Sequence, residues 1–159
     1  AQVYPSHGIG IGASSKPLAD KGARGDKLGL NWRIGQISAG QRSVSFDTNF
    51  WKTFCAARLR LQVGDPEAIT LHKGDHELLI THLTSEFPVK TEARGRVVDE
   101  WHGAGRENHW WDCLVGSAVA ASITGLTPSA TEAGGRQRRK VEVPTGANGR
   151  KVITLKKLR

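Results

Sequence analysis

Residues 43–61, SVSFDTNFWKTFCAARLRL, decide the fold class of this chain. In Ser43–Asp47 the apolar residues Val44 and Phe46 alternate with polar ones, which is the period of a half-buried strand. Thr48 and Asn49 then supply helix-starting chemistry, and apolar residues recur at helical spacing from Phe50 to Leu61. The pattern predicts a strand followed directly by a helix, with Asp47 at the junction.

Similar patterns on both sides of this unit extend the prediction. Upstream, we expect a short strand at Val3–Tyr4 and a strand at Leu28–Ile37, where the alternation is loose. Downstream, we expect a strand at Ala68–His72, a helix opened by Asp75, and two strands, Val89–Glu92 and Arg96–Trp101, joined by Ala93–Arg94–Gly95. An apolar helix follows, with Asn108 as its N-cap and Gly125 as its end. Strands mixed with helices over 159 residues predict an α/β domain with a real core.

Positive charge is concentrated in the last part of the chain. The formal net charge is +8, and residues 127–159 hold nine Lys or Arg against two Glu, which leaves residues 1–126 close to neutral. We therefore predict a domain over residues 1–126 and a basic, flexible tail over 127–159. Such a tail suits attraction to a polyanion, although a solvated tail kept for solubility has the same composition.

Several classes of protein are excluded or disfavoured by what the sequence lacks. It has no apolar run long enough for a membrane span, no signal-peptide pattern, no phosphate-binding Gly-x-x-x-x-Gly-Lys-Ser/Thr loop and no zinc-type ligand spacing. The two cysteines, Cys55 and Cys113, favour a reducing compartment over a disulfide scaffold. Because the chain contains no Met at all, we expect it to be a piece of a longer protein.

Two acidic residues stand out by their positions. Asp47 closes an apolar strand, and Asp112 lies in the first turn of the most apolar helix. A carboxylate at a helix start is stabilised by the helix dipole alone, so either acid has a purely structural interpretation. The functional interpretation is a ligand for a hard cation such as Mg²⁺ or Mn²⁺.

Other polar residues are candidates for supporting roles. His109 precedes Asp112 by three residues and projects near the same helix face, where it is a possible accessory group for a phosphate or a water. The run Arg136, Arg138, Arg139 and Lys140 matches the basic patches that bind nucleic acid.

Three stretches together resemble the large subunits of phage terminases of the lambda type. They are Asp47–Phe54 with Ala57–Leu59 behind it, His82–Glu86 followed by Arg94–Arg96 and Glu100–Trp101, and Glu107–Val115. The resemblance covers roughly residues 3 to 125 in consistent order, and the last stretch, ENHWWDCLV, is the most specific.

The resemblance implies a ribonuclease-H-like nuclease domain: a mixed sheet flanked by helices, cut off from its motor and lacking the family's opening strand with its first catalytic Asp. It implies cleavage of double-stranded DNA with Mg²⁺ or Mn²⁺ held by Asp112 and Asp47. It also implies the terminase small subunit and the portal as partners, no membrane, and a place in the cytoplasm of an infected or lysogenic bacterium.

Two alternatives to the nuclease stay open at this point. One is a DNA-binding or assembly module without chemistry, which uses its basic tail to grip DNA or a portal. The other is an unrelated α/β domain. The relative position of Asp47 and Asp112 in the fold discriminates among these interpretations, since ligands of a shared two-ion site must converge.

Overall fold

The junction of a strand with a helix lies at the centre of the structure, a computed structural model that describes residues 3–38, 40–103, 105 and 107–126. Within these residues the strands are β1 (Ser6–Ile9), β2 (Lys27–Gly29), β3 (Trp32–Ser38), β4 (Gln41–Asp47), β5 (Glu86–Ala93) and β6 (Arg96–Gly103). The helices are α1 (Thr48–Leu59), α2 (Glu77–Leu83) and α3 (His109–Ile123), with a short 3-10 turn at Leu18–Lys21.

Four of the strands form a mixed sheet in the order β1-β4-β3-β2. Strand β4 is parallel to β1 and antiparallel to β3, and β2 pairs antiparallel with β3. The remaining strands, β5 and β6, form a separate antiparallel hairpin. The predicted α/β class, with a mixed sheet and flanking helices, is confirmed.

The core lies between one face of the sheet and two helices. Alternate residues of β3 and β4 are buried in register, since Trp32 faces Phe46 and Ile34 faces Val44. Helix α1 and helix α3 cover this face and contact each other. The buried apolar residues of the helices are Trp51, Phe54, Cys55 and Ala56 from α1, and Trp111, Val115 and Val119 from α3. Burial of these large side chains is the main stabilising contribution to the fold.

A buried hydrogen bond fixes the far end of α3 on the sheet. The indole Nε1 of Trp32 donates to Oγ of Ser122 over 3.0 Å, and both residues are buried. Because an indole N–H without a partner is costly in a core, this bond sets the position of α3 across β3. The N-terminal end of α3, which carries Asp112, then lies near α1 and α2.

The β5–β6 hairpin packs against α1. Its two-residue turn, Arg94–Gly95, has positive φ at both positions, 52° and 70°, as a type I′ hairpin turn requires. The sequence predicted both strands and the turn, and the structure extends them to Glu86 at one end and Gly103 at the other.

Three strand predictions were wrong in their details. Residues 28–37 do not form one strand, because Asn31 takes a left-handed φ of 49° and turns the chain between β2 and β3. The first strand is Ser6–Ile9 and not Val3–Tyr4. Residues 68–72 are not a strand, since the N–H of Ile69 donates to the Arg58 carbonyl at the end of α1 over 3.2 Å and pairs with no strand.

None of the helices in the described part of the chain has the length and apolar character that crossing a membrane takes. The predicted tail, residues 127–159, lies outside the described residues.

Candidate active site

Asp47 is buried at the junction of β4 and α1, where its side chain caps the helix. Its Oδ1 accepts hydrogen bonds from the backbone N–H groups of Asn49 and Phe50, at 3.0 and 3.3 Å. The same oxygen accepts from the N–H of Ile11, in the loop after β1, at 3.3 Å. This carboxylate therefore holds both the first turn of α1 and the neighbouring loop.

Burial has an electrostatic consequence for Asp47. Desolvation raises the pKa of its carboxyl above the usual value of 3.8, and the hydrogen bonds from Phe50, Ile11 and Asn49 oppose the shift without cancelling it. Asp47 also lies in the wall of a cleft of about 610 Å³, which β6 lines with Arg96 and Asp99.

A second cluster of charges joins α1, the start of β5 and the start of α3. The Nζ of Lys52 lies 2.7 Å from each carboxylate oxygen of Glu86 and 3.0 Å from Oδ1 of Asp112. Asn108 Nδ2 donates to Oε1 of Glu86. Side chains that are 34 and 60 positions from Lys52 in sequence thus meet around its ammonium group. We call Lys52, Glu86 and Asp112 the acid–lysine cluster.

The fold brings these residues together because one face of α1 lies against the hairpin. Asn49 and Thr53 lie on that face with Lys52: Asn49 Oδ1 accepts from the backbone N–H of Trp101, and Thr53 Oγ1 accepts from its indole Nε1, both at 3.0 Å. The paired strands place Glu86 opposite Gly103, at the end of the hairpin away from its turn. Lys52 therefore reaches Glu86 at this end.

The acid–lysine cluster is closed on one side and open on the other. The side chains of Lys52 and Glu86 are 8% and 7% exposed, whereas that of Asp112 is 53% exposed. Two carboxylates share one ammonium, so one negative charge is in excess. A buried charge is stable only when it is paired and hydrogen-bonded, and Glu86 meets that condition through Lys52 and Asn108. Asp112 presents the excess charge to solvent at the start of α3, where the helix dipole stabilises it.

His109, three residues before Asp112 on α3, faces another histidine. It is exposed, and its ring centroid lies 6.2 Å from that of His82 on α2. His82 is buried, its Nδ1 has no hydrogen-bond partner within the described part of the chain, and Trp110 stacks on its ring at 5.8 Å. None of the hydrogen bonds among the described residues joins His109 to Asp112, so the structure places His109 in an aromatic cluster between α2 and α3.

Asp47 and the acid–lysine cluster both lie within the part of the chain that matches a known family. Residues 12–133, well over half of the 159, match the family described as terminase large subunit gpA, endonuclease domain. This chain belongs to that terminase endonuclease family. No curated protein and no solved structure is similar enough to the chain to match it.

The structure of this terminase endonuclease domain places the two predicted ligands in separate networks. Asp47 contacts backbone N–H groups of the loop after β1 and of α1, whereas Asp112 pairs with Lys52. They share no hydrogen-bond or ion-pair partner among the described residues. Of the two predicted metal ligands, only Asp112 belongs to the acid–lysine cluster. The second carboxylate of that cluster is Glu86 and not Asp47.

The donor chemistry of the cluster suits one divalent ion. Glu86 and Asp112 offer carboxylate oxygens, and Mg²⁺ is often held by one or two carboxylates while water and phosphate oxygens complete its shell. Within residues 3–38, 40–103, 105 and 107–126, no group of three or more His, Cys, Asp or Glu side chains is arranged to hold a metal ion. The described residues therefore supply too few carboxylates for the two-ion site that the resemblance implied.

Sequence reasoning missed Lys52, Glu86 and Asn108 as site residues. One signal was available for Lys52, which lies next to Trp51 in a helix whose other nearby residues, Thr53 apart, are apolar from Phe50 to Ala57. A lysine at such a position needs an anionic partner. Asn108 was expected to cap α3, and it does precede the helix, but its side chain makes no capping hydrogen bond and binds Glu86 instead. The predicted DNA-binding residues Arg136, Arg138, Arg139 and Lys140 lie outside the described residues.

Proposed function

We propose that this terminase endonuclease domain cleaves double-stranded DNA with a divalent ion, Mg²⁺ or Mn²⁺, at the acid–lysine cluster. The observation that carries the proposal is the meeting of Glu86 and Asp112 around Lys52, with Asp112 as the exposed member of the three. Membership of the endonuclease family supports DNA as the substrate.

In this proposal Asp112 and Glu86 hold the ion. A divalent ion supplies Lewis-acid stabilisation of a phosphoryl oxygen and lowers the pKa of a bound water. Asn108 would hold the Glu86 carboxylate for this role, and Lys52 pairs with it while no ion is bound. Asp112 is the member that solvent and DNA reach.

Lys52 has a second role in the proposal, as a group that binds phosphate. Its ammonium lies beside both carboxylates, and a lysine there offsets the repulsion between two acids and a phosphodiester. His109 stays a candidate accessory group at the same end of α3.

Asp47, predicted as the second ligand, has a different role in this proposal. Its Oδ1 already accepts from three backbone N–H groups. We assign it to holding the first turn of α1, and so to the position of Lys52 five residues later. A ligand role for Asp47 predicts instead that Asp47→Asn loses cleavage as fully as Asp112→Asn does.

The test is cleavage of duplex DNA by the terminase large subunit that carries this domain, with Mg²⁺ or Mn²⁺ supplied. Asp112→Asn and Glu86→Gln each remove one charge and keep the shape of the side chain. We expect each to lower the cleavage rate by on the order of a hundredfold, the loss typical of removing one preorganised polar group. Glu92→Gln, at an exposed position on the same strand as Glu86, is the matched control. Cleavage at the parental rate by either cluster variant, with the fold intact by circular dichroism, contradicts the proposal.

The basic tail supports a further binding role, whether or not the domain cuts. Residues 127–159 carry nine basic and two acidic residues, and the salt dependence of DNA binding reports the number of phosphates that a protein neutralises. We propose that the tail, including Arg136, Arg138, Arg139 and Lys140, grips DNA. Deletion of 127–159 then lowers both the affinity for DNA and its salt slope. An unchanged slope refutes tail binding and also removes the support for a non-catalytic DNA-binding module.

The wider setting is a proposal from family membership alone. It comprises the terminase small subunit and the portal as partners, and action in the cytoplasm of a bacterium that carries the phage.

A further inference from the structure

We infer that Lys52 is a built-in counter-ion that competes with divalent cations for the carboxylates of Glu86 and Asp112. The inference rests on the proposed function, because it concerns the same two acids, and it adds a control on when they take up a cation. A divalent ion then gains the site only by displacing the ammonium group.

The geometry of the acid–lysine cluster shows that an ion and the ammonium group would use the same oxygens. Lys52 Nζ lies 2.7 Å from both oxygens of Glu86 and 3.0 Å from one oxygen of Asp112, so three of the four carboxylate oxygens are in contact with it. A metal ion binds through the same lone pairs, at still shorter distances. The ammonium and the ion therefore use the same acceptors and cannot both have them.

Charge balance favours an ion that replaces the ammonium over one that joins it. With Lys52 in place, two carboxylates and one ammonium leave one negative charge in excess. A divalent ion that joined the three groups would reverse the excess to one positive charge, whereas an ion that replaced the ammonium would neutralise both acids. Because Lys52 and Glu86 are buried, where charge imbalance is screened weakly, replacement is the favoured outcome.

The surroundings provide a route for the displaced group. Asp112 is half exposed and forms the open side of the cluster, and a lysine has a long flexible stem that swings without backbone movement. Glu86 keeps its hydrogen bond from Asn108 when Lys52 leaves. In this arrangement DNA phosphates, arriving at the open side, offer the ammonium a new anionic partner.

The first experiment follows Lys52 in the unaltered 159-residue chain. Lysine acylation is timed and mapped by mass spectrometry in MnCl₂ and in KCl of equal ionic strength, with exposed Lys90 as the internal control. We expect Mn²⁺ to speed the labelling of Lys52 at least tenfold and to leave Lys90 within twofold. Asp112→Asn, which removes one of the two charges that the ion binds, abolishes the Mn²⁺ effect.

The second experiment measures Mn²⁺ affinity by titration calorimetry without DNA. Lys52→Met removes the competing charge at similar side-chain length, and we expect it to bind Mn²⁺ at least tenfold more tightly than the parent chain. Lys52→Arg keeps the charge and binds as the parent does, and Lys90→Met is the matched control. Equal affinities for the parent and Lys52→Met, together with unchanged Lys52 labelling, overturn the inference.

These results separate the inference from the proposed function. If Lys52→Met does not fold, because Glu86 is then left buried without its cation, the labelling of the parent chain decides alone. If Mn²⁺ releases Lys52 but cleavage does not depend on Glu86 and Asp112, the competition stands and the nuclease assignment fails. If cleavage depends on both acids while Lys52 stays protected and its removal leaves Mn²⁺ affinity unchanged, the competition fails and the nuclease assignment stands.

Discussion

Replacement of Asp47 by Asn separates the structural role of this residue from a catalytic one. Asn keeps an oxygen that accepts the N–H groups of Asn49, Phe50 and Ile11, and it ranks with Asp as a helix N-cap. It removes the charge that a metal ligand needs. If Asp47 caps α1 and does not bind metal, Asp47→Asn cleaves DNA within a few-fold of the parental rate.

The magnitude for stability follows from the same three hydrogen bonds. Asp47→Ala loses the cap and leaves the N–H of buried Ile11 without its acceptor, at a combined cost of about 2–4 kcal/mol in the free energy of unfolding. Asp47→Asn is expected to change that free energy by less than about 1 kcal/mol at neutral pH. Urea titration followed by tryptophan fluorescence measures both variants against the parent.

The difference in stability between Asp47→Asn and the parent depends on pH. Desolvation raises the pKa of Asp47 in the folded chain above 3.8. A group whose pKa is raised on folding contributes stability that is present below its unfolded pKa and is lost as pH rises through the folded value. Asn does not titrate, so the stability of Asp47→Asn relative to the parent increases as pH rises from 3.8 through the raised pKa.

Two results would show that Asp47 is more than a helix cap. One is a stability difference between Asp47→Asn and the parent that stays constant or falls over this pH window. The other is a loss of cleavage in Asp47→Asn as large as that in Asp112→Asn, with the fold intact. The second result would return Asp47 to the ligand role that the sequence suggested.

Three further predictions test the packing on which the site depends. Ser122→Ala leaves the indole N–H of Trp32 buried without its acceptor, so we expect a loss of about 1–3 kcal/mol in the free energy of unfolding, measured by urea titration. A loss below about 0.5 kcal/mol, the range of an ordinary surface change, would contradict this hydrogen bond. Gly95→Ala forces alanine to the left-handed φ of 70° and is expected to lower that free energy by about 1–2 kcal/mol; an unchanged value would show that the turn adopts another conformation. Burial raises the pKa of the Cys55 thiol to about 12, whereas Cys113 is exposed. A thiol reagent at pH 8 should therefore modify only Cys113 until the chain unfolds, and rapid modification of both would place Cys55 at the surface.

The elements with strong local signals could be predicted from the sequence. The alternation in Ser43–Asp47 and the helical spacing after it gave β4 and α1, because burial of one face imposes those periods. Arg94–Gly95 marked the hairpin, since glycine there permits the positive φ that the turn needs. Asp112 was placed in the first turn of the last helix, where the structure has it.

Elements that depend on tertiary contacts could not be predicted in the same way. Residues 68–72 have the composition of a strand, but Ile69 hydrogen-bonds to the end of α1 and no strand pairs with the segment. The turn at Asn31 depends on one backbone angle, which the loose alternation of residues 28–37 concealed.

The acid–lysine cluster was the hardest part to predict. Lys52 and Glu86 are 34 positions apart, and nothing in the local pattern of either indicates the other. Position alone drew attention to Asp47 because a carboxylate at a strand end is a familiar arrangement for a ligand. In the fold that position is used to cap a helix, and the acid that meets Asp112 through Lys52 comes from the hairpin.

A crystal of this chain grown with MnCl₂ would show, by anomalous scattering from manganese, where the ion binds. We expect a peak within coordination distance of the carboxylates of Glu86 and Asp112, with the Lys52 ammonium moved away from both. A manganese peak at Asp47, or manganese at other sites while Lys52 still bridges the two acids, would contradict this expectation.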